Sequence, residues 1–446
     1  MFVFVTHSAS AQVVFKNPYL EKILMTSSEV DELLEECTNM DDLKALTLNK
    51  DHTDPSKGTF TYYYRHMIND PRATTIVFLP GGPGGGSMTG VTDEANHLFA
   101  DESMNTKQFN YIWIDPRGTD CNIFAKGDFP ESAVTSEQTA LDIIEVIVKE
   151  NIKNYIIYGE SYGTLLGTIL ASQINKKSMP QPKAVVLEGT LAEAYSKGSG
   201  YAQSFADKAN LLLDRHPELA KLLLDNDNLP LNGTSEGWAN FLANIPPEGL
   251  NGGEDEYSFA YYWQKLLEIV HSLRTGSDLP EDIDSIVEEV SDSNEMQESA
   301  EYAKDAELIN YIETALVCKE ISPEVIYKYL NFDLVNGRVV FKENPLFPDM
   351  CLGYTDKKLY SSKNYPFNIP TIYIQGDLDP QTEIKGAKEH YKSNKSTKKV
   401  FIEVKDGGHA PRAIEMKGCF DKFLRVIDQD PNLDFSKILD SKGHCL

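Results

Sequence analysis

The chain has 446 residues, 41% hydrophobic and 25% charged, which is an ordinary globular composition. That length predicts one large domain with an insertion, or two domains, rather than one small core. A formal net charge of -26 repels phosphate polymers and excludes nucleic acid as a natural partner, and no apolar run reaches the roughly 18 residues needed to span a membrane.

The start, MFVFVTHSASAQ, joins a short apolar stretch to a small-residue site at Ala9, Ser10 and Ala11. It reads as a signal-peptide remnant over residues 1–11 or as an ordinary chain end. Six cysteines (Cys37, Cys121, Cys318, Cys351, Cys419 and Cys445) show no C-x-x-C metal spacing. Their even number permits up to three disulfides, and together with the N-terminus it favours a secreted or periplasmic protein.

Apolar, β-prone runs at 74–79, 111–114, 155–158 and 184–187 predict strands. Between them, 137–149 has helical spacing, and Thr135 followed by Gln138 forms a capping-box signal. Strands alternating with helices predict a mostly parallel sheet flanked by helices. The region from about 190 to 365 is helix-rich and often acidic. Two more strand-like runs follow it, at 371–375 and 400–404. The organisation expected is an N-terminal segment (1–34), a core (35–190 and 366–446) and a helical cap (191–365) over the sheet's C-terminal edge, where open α/β sheets bind ligands.

The chemistry centres on YIIYGESYGTLLG, residues 155–167, where Gly159 and Gly163 flank Ser161 between a strand and a helix. Small residues at those positions allow a tight turn that lifts the serine hydroxyl above the sheet. A serine needs a base to take its proton and a carboxylate to orient that base. The fifth strand-like run is followed by IQGDLDPQT and the sixth by VKDGGHAPR. Asp379 and His409 are therefore the expected partners. Asp377 is the alternative acid, and His390 and His444 also lie after it but do not directly follow a strand. FLPGGPGGGS, residues 78–87, supplies glycines through which backbone N–H groups can reach an oxyanion, with Gly82 and the Tyr162 N–H as donors. It lacks the Gly-Lys-Ser/Thr of a phosphate loop. In DPRGTD, Asp115 and Arg117 are expected to brace that loop as an ion pair, or to form a surface turn.

PGGPGG (80–85), DPRG (115–118), GESYGTLLG (159–167), GDLDPQT (376–382) and GGH (407–409) together resemble the prolyl and tripeptidyl aminopeptidase family of α/β-hydrolases, the tripeptidyl branch most. The resemblance implies the α/β-hydrolase fold with a helical cap between the sixth and seventh strands. It implies no cofactor or metal, peptide substrates with a free N-terminus, and Ser161, Asp379 and His409 as nucleophile, acid and base. It also suggests a Cys318–Cys351 bridge in the cap, with Cys37 free to pair with Cys121 and Cys419 left with Cys445. Pro80 stands where the prolyl branch usually has histidine, which argues against strict proline specificity. A cap carboxylate is expected to hold the substrate amine, with Glu313 and Glu320 as candidates. An esterase using the same triad and a non-catalytic binding protein are the competing readings.

Overall fold

The computed structural model describes residues 37, 43–88, 108–124, 129–177, 179–192, 200–224, 234–250, 259–278, 315–321, 331–342 and 358–446. The N-terminal segment and Glu313 lie outside the described residues.

Eight strands form the main sheet: β1 (Leu43–Asn49), β2 (Thr59–Met67), β3 (Thr75–Leu79), β4 (Asn110–Ile114), β5 (Tyr155–Glu160), β6 (Ala184–Glu188), β9 (Thr371–Gly376) and β10 (Lys399–Val404). Their order is β1-β2-β4-β3-β5-β6-β9-β10. Only β2 runs against its neighbours; the pairs from β4 to β10 are parallel. Every residue of β3, β4, β6 and β9 is buried, as a sheet covered on both faces requires.

Two strands precede the first strand expected from sequence. In β1 and β2 buried and exposed positions are mixed, and TFTYYYRHM carries too many polar groups to stand out as a buried run. Helices α1 (Ser136–Lys149) and α2 (Tyr162–Lys176) pack on the sheet and on each other. Half of the expected capping box on α1 is present: the Thr135 hydroxyl accepts from the Gln138 N–H at 3.2 Å, while the Gln138 side chain bonds Asp51 and the His52 N–H.

Between β6 and β9 the chain adds α3 (Gly200–Arg215), α4 (Pro217–Leu222), α5 (Ser235–Glu248), α6 (Phe259–Thr275) and a hairpin, β7 (Asn331–Val335) with β8 (Arg338–Lys342). These share a hydrophobic cluster that includes Phe205, Leu212, Trp238, Phe241, Trp263 and Phe332. The segment is thus not purely helical. Asn336 and Gly337 both adopt positive φ, 52° and 69°, which suits a tight hairpin turn. The chain ends with α7 (Ile384–Ser393) and α8 (Phe420–Gln429). No described helix is long and apolar enough to cross a membrane. Cys37–Cys121 and Cys419–Cys445 are disulfides; Cys318 is also disulfide-bonded, to a residue outside the described ones.

This strand order, with one antiparallel strand near one edge and an insertion after the sixth strand, is the α/β-hydrolase fold.

Candidate active site

Strand β5 ends at Glu160 and α2 begins at Tyr162, so Ser161 alone makes the turn. Its φ of 53° and ψ of -120° put a non-glycine residue in a sparsely populated region. The turn is held by the Ser161 N–H donating to Glu188 O at 2.9 Å, and by the Thr164 hydroxyl and N–H donating back to Ser161 O at 2.6 and 2.9 Å. The flanking glycines are sterically required. A Cβ on Gly159 would lie 2.2 Å from Gly163 O, and one on Gly163 would lie 2.1 Å from Leu79 O.

The glycine-rich loop follows β3 and runs past the elbow, since a Cβ on Gly81 would stand 3.3 Å from Ser161 Cβ. Gly82, with φ 117°, comes next. The Tyr162 N–H belongs to the first turn of α2, where backbone donors have no partner within the helix. Asp115 braces the far end of the loop as an acceptor: its Oδ1 takes the N–H groups of Ser87 (2.6 Å) and Met88 (2.9 Å), and its Oδ2 takes that of Cys121 (3.2 Å). Burial, reinforced by the neighbouring Asp120 charge and opposed by these N–H donors, pushes the Asp115 carboxyl up to about 7.

The expected Asp115–Arg117 ion pair does not form. Arg117 instead grips Asp142 through Nε at 2.7 Å and Nη2 at 2.6 Å, and donates to Lys50 O and Ala133 O. A buried guanidinium needs a planar partner and several acceptors, and α1 and the neighbouring loops offer them.

Asp379 follows β9 and His409 follows β10. The His409 Nδ1 lies 3.0 Å from Asp379 Oδ2. Oδ2 also accepts from Gln375 Nε2 (2.8 Å) and the Thr382 hydroxyl (2.6 Å), while Oδ1 accepts the Gln381 and Thr382 N–H groups at 2.8 and 3.0 Å. Asp379 is fully buried, which opposes ionisation, but the His409 charge and hydrogen bond, with the Thr382 bonds, hold its pKa below the usual value. For His409, burial opposes the imidazolium, yet the Asp379 charge and bond, with Glu160 and Glu188 adding to them, raise its pKa above 6.5.

Asp377 serves other partners, accepting from Lys405 at 2.5 Å, Arg215 at 2.8 Å and the Asp406 N–H at 2.8 Å. His390 is buried among hydroxyls, with Nδ1 2.9 Å from the Tyr373 hydroxyl and Nε2 3.1 Å from that of Tyr360. His444 Nε2 lies 2.6 Å from Lys405 O.

Glu320 is not an open anchor. Its oxygens accept the Ser136 N–H (3.0 and 3.3 Å) and the Ser136 hydroxyl, which also meets the Tyr162 hydroxyl at 2.7 Å. It therefore sits at the N-terminus of α1, a position favourable to a carboxylate, beside a cavity of about 260 Å³ lined by Thr135, Glu137, Lys319 and Tyr365. Burial, against the Ser136 bonds, pushes its pKa up to about 7. In the aromatic stretch 256–265, Trp263 packs into the hydrophobic cluster of the inserted segment.

Sequence reasoning missed one cluster. Glu188, at the end of β6, accepts from the Arg412 N–H and Nε and from the Tyr158 hydroxyl, each at 2.8 Å. Arg412 Nη2 reaches on to Glu160. The available signal was position: Glu160 directly precedes Ser161, and Arg412 follows His409 by three residues.

No family model matches the chain, and no curated protein matches it. Similar solved structures include a bromoperoxidase from Bacillus anthracis (14% identity, covering 87% of this chain and 100% of that one, TM-score 0.42). A proline iminopeptidase from Mycobacterium smegmatis (15%, 86% and 99%, TM-score 0.42) and VinJ (13%, 86% and 98%, TM-score 0.43) are further examples.

Proposed function

We propose that the chain is a serine aminopeptidase that cleaves peptides near a free N-terminus through an acyl-enzyme. The observation that carries the reading is the buried Asp379–His409 hydrogen bond, on loops after adjacent strands, together with Ser161 on a positive-φ turn at a helix N-terminus. With its Nδ1–H donated to Asp379, His409 keeps Nε2 as an acceptor for the Ser161 proton. Ser161 Oγ attacks the carbonyl carbon, and Nε2–H then protonates the departing amine. A water, deprotonated in the same way, hydrolyses the ester. The Gly82 and Tyr162 N–H groups are assigned to the oxyanion. Three disulfide-bonded sites support an oxidising compartment, secreted or periplasmic.

The test has two arms. A fluorophosphonate should label Ser161 alone, and Ser161→Ala should lose turnover by about 10⁶-fold with the fold intact. Amino-acid anilides with a free amine should outperform their N-acetyl forms by at least about tenfold, or roughly 1.4 kcal/mol. Equal rates on the two would replace the aminopeptidase reading with an esterase one; near-wild-type activity in Ser161→Ala would remove the nucleophile assignment.

A further inference from the structure

Strands β5 and β6 run parallel and end in register, so Glu160 lies opposite Glu188 at the sheet's C-terminal edge. Two carboxylates there share one guanidinium. Arg412 makes two of its bonds to Glu188 and one to Glu160. Burial pushes the Glu188 carboxyl up, opposed by the Arg412 charge and reinforced by the neighbouring Glu160, while the Arg412 N–H and Nε and the Tyr158 hydroxyl bond it. One guanidinium is divided between two carboxyl groups, and Glu188 takes the larger share of Arg412's bonds.

Of the two carboxyl groups, Glu160 is the one that reaches the surface of the cluster. Its side chain retains 15% exposure, while those of Glu188 and Arg412 are at 0% and 1%. Glu160 Oε2 is taken by Arg412; Oε1 has no hydrogen-bond partner among the described residues. A largely buried carboxylate with an open oxygen is costly unless a cation meets it.

We propose that Glu160, oriented by Arg412, binds the α-ammonium of the substrate's N-terminal residue, so that the enzyme releases one residue at a time. The proposal rests on the aminopeptidase reading and adds the residue that enforces it. Consecutive Cα atoms are about 3.8 Å apart, so this carboxylate starts one residue from the nucleophile. In an amino-acyl substrate the ammonium sits on the carbon next to the attacked carbonyl, within reach of such a carboxylate. In a tripeptidyl unit it would lie two residues further away. Arg412 is the positioning partner: it occupies Oε2 and leaves Oε1 for the incoming ammonium.

The test uses wild type and Glu160→Gln on one anilide series: an amino acid with a free amine, its N-acetyl form, and a tripeptide ending in the same residue. Wild type should prefer the free amino acid over the acetylated form by at least about tenfold, and over the tripeptide. Glu160→Gln should collapse the free-to-acetylated ratio towards one, mainly through KM. Fluorophosphonate labelling of Ser161 reports whether the variant is folded with a working triad. If it is not, Glu160→Asp, which keeps a charge for Arg412 and withdraws it by one methylene, should give an intermediate ratio. An unchanged ratio in a labelling-competent variant overturns the proposal, as does a loss shared equally by both substrates, which would mean that Glu160 serves His409 alone. A wild-type preference for the tripeptide overturns the one-residue limit and with it the anchor. Absence of any preference for free amines in wild type would instead overturn the aminopeptidase reading itself.

Discussion

Replacing Asp379 by asparagine should remove catalysis through the proton on His409. Oδ2 of Asp379 is approached by the Gln375 amide, the Thr382 hydroxyl and His409 Nδ1, at 2.8, 2.6 and 3.0 Å, while Oδ1 takes two backbone N–H groups. An asparagine can keep its oxygen where the backbone donors converge, but its NH₂ then faces the side-chain donors. The imidazole answers by turning an Nδ1 lone pair to that NH₂ and carrying its proton on Nε2. Nε2 is the atom that must accept from Ser161, so the base is blocked. The wrong tautomer in a triad of this type costs roughly 10⁴-fold in kcat, equivalent to about 5.4 kcal/mol. Asp377→Asn supplies the control: it weakens partly exposed pairs with Lys405 and Arg215 and should cost no more than about tenfold. The assay is kcat on a free amino-acid anilide, normalised to sites that react with fluorophosphonate. A larger loss in Asp377→Asn than in Asp379→Asn would refute the assignment of the acid.

Activity should rise with pH through an apparent pKa above 6.5, because His409 acts only when neutral and its pKa is raised despite its burial; a midpoint below 6.5 would contradict the pairing. The linkage sign is opposite for stability: the charged pair's contribution is fully present below 6.5 and is lost as pH rises through the folded value, so denaturant melts of wild type against His409→Ala should converge on the alkaline side. Arg117→Ala should destabilise the fold by about 3–5 kcal/mol in urea unfolding, since among the described residues it leaves the buried Asp142 carboxylate with only the His52 contact at 2.7 Å. A loss below about 1 kcal/mol would show that the bidentate pair is not the brace described.

The parts legible in the sequence are those whose chemistry is local. Ser161 is announced by two glycines within two residues, and Asp379 and His409 by loops that directly follow apolar strands. The central strands are readable because both faces are buried, leaving an apolar run. Strands β1 and β2 were not, since residues such as Thr59, Thr61 and Arg65 face partly to water and break the pattern. The β7–β8 hairpin carried a usable signal, Asn336-Gly337 between alternating apolar residues, but the surrounding helical and acidic texture hid it. Arg412–Glu160 and Arg117–Asp142 were illegible for another reason. Their partners are 252 and 25 residues apart, and packing rather than spacing selects them.

The inserted segment is usually thought of as deciding what enters, and the sheet as deciding what reacts. Here that division does not hold. Leu378, between Asp377 and Asp379, is buried in the hydrophobic cluster of the insertion. Helix α3 lies along the same loop: the Ser204 hydroxyl donates to Pro380 O, Lys208 donates to Asp377 O at 2.7 Å, and Arg215 bonds both Asp377 and Asp406. The Leu250 N–H donates to Asp406 O at 3.0 Å, three residues before His409, and the Leu378 N–H donates to Gly407 O at 3.0 Å. The loop carrying Asp379 and the loop carrying His409 are therefore fastened to each other and to the insertion by one set of contacts. Burial pushes the Lys208 ammonium down, opposed by the Glu383, Asp379 and Asp377 charges, so the insertion is also linked electrostatically to the loop it holds. If Asp379 and His409 act as proposed, substitutions at this end of the insertion, such as Lys208→Ala, should lower kcat as well as change KM.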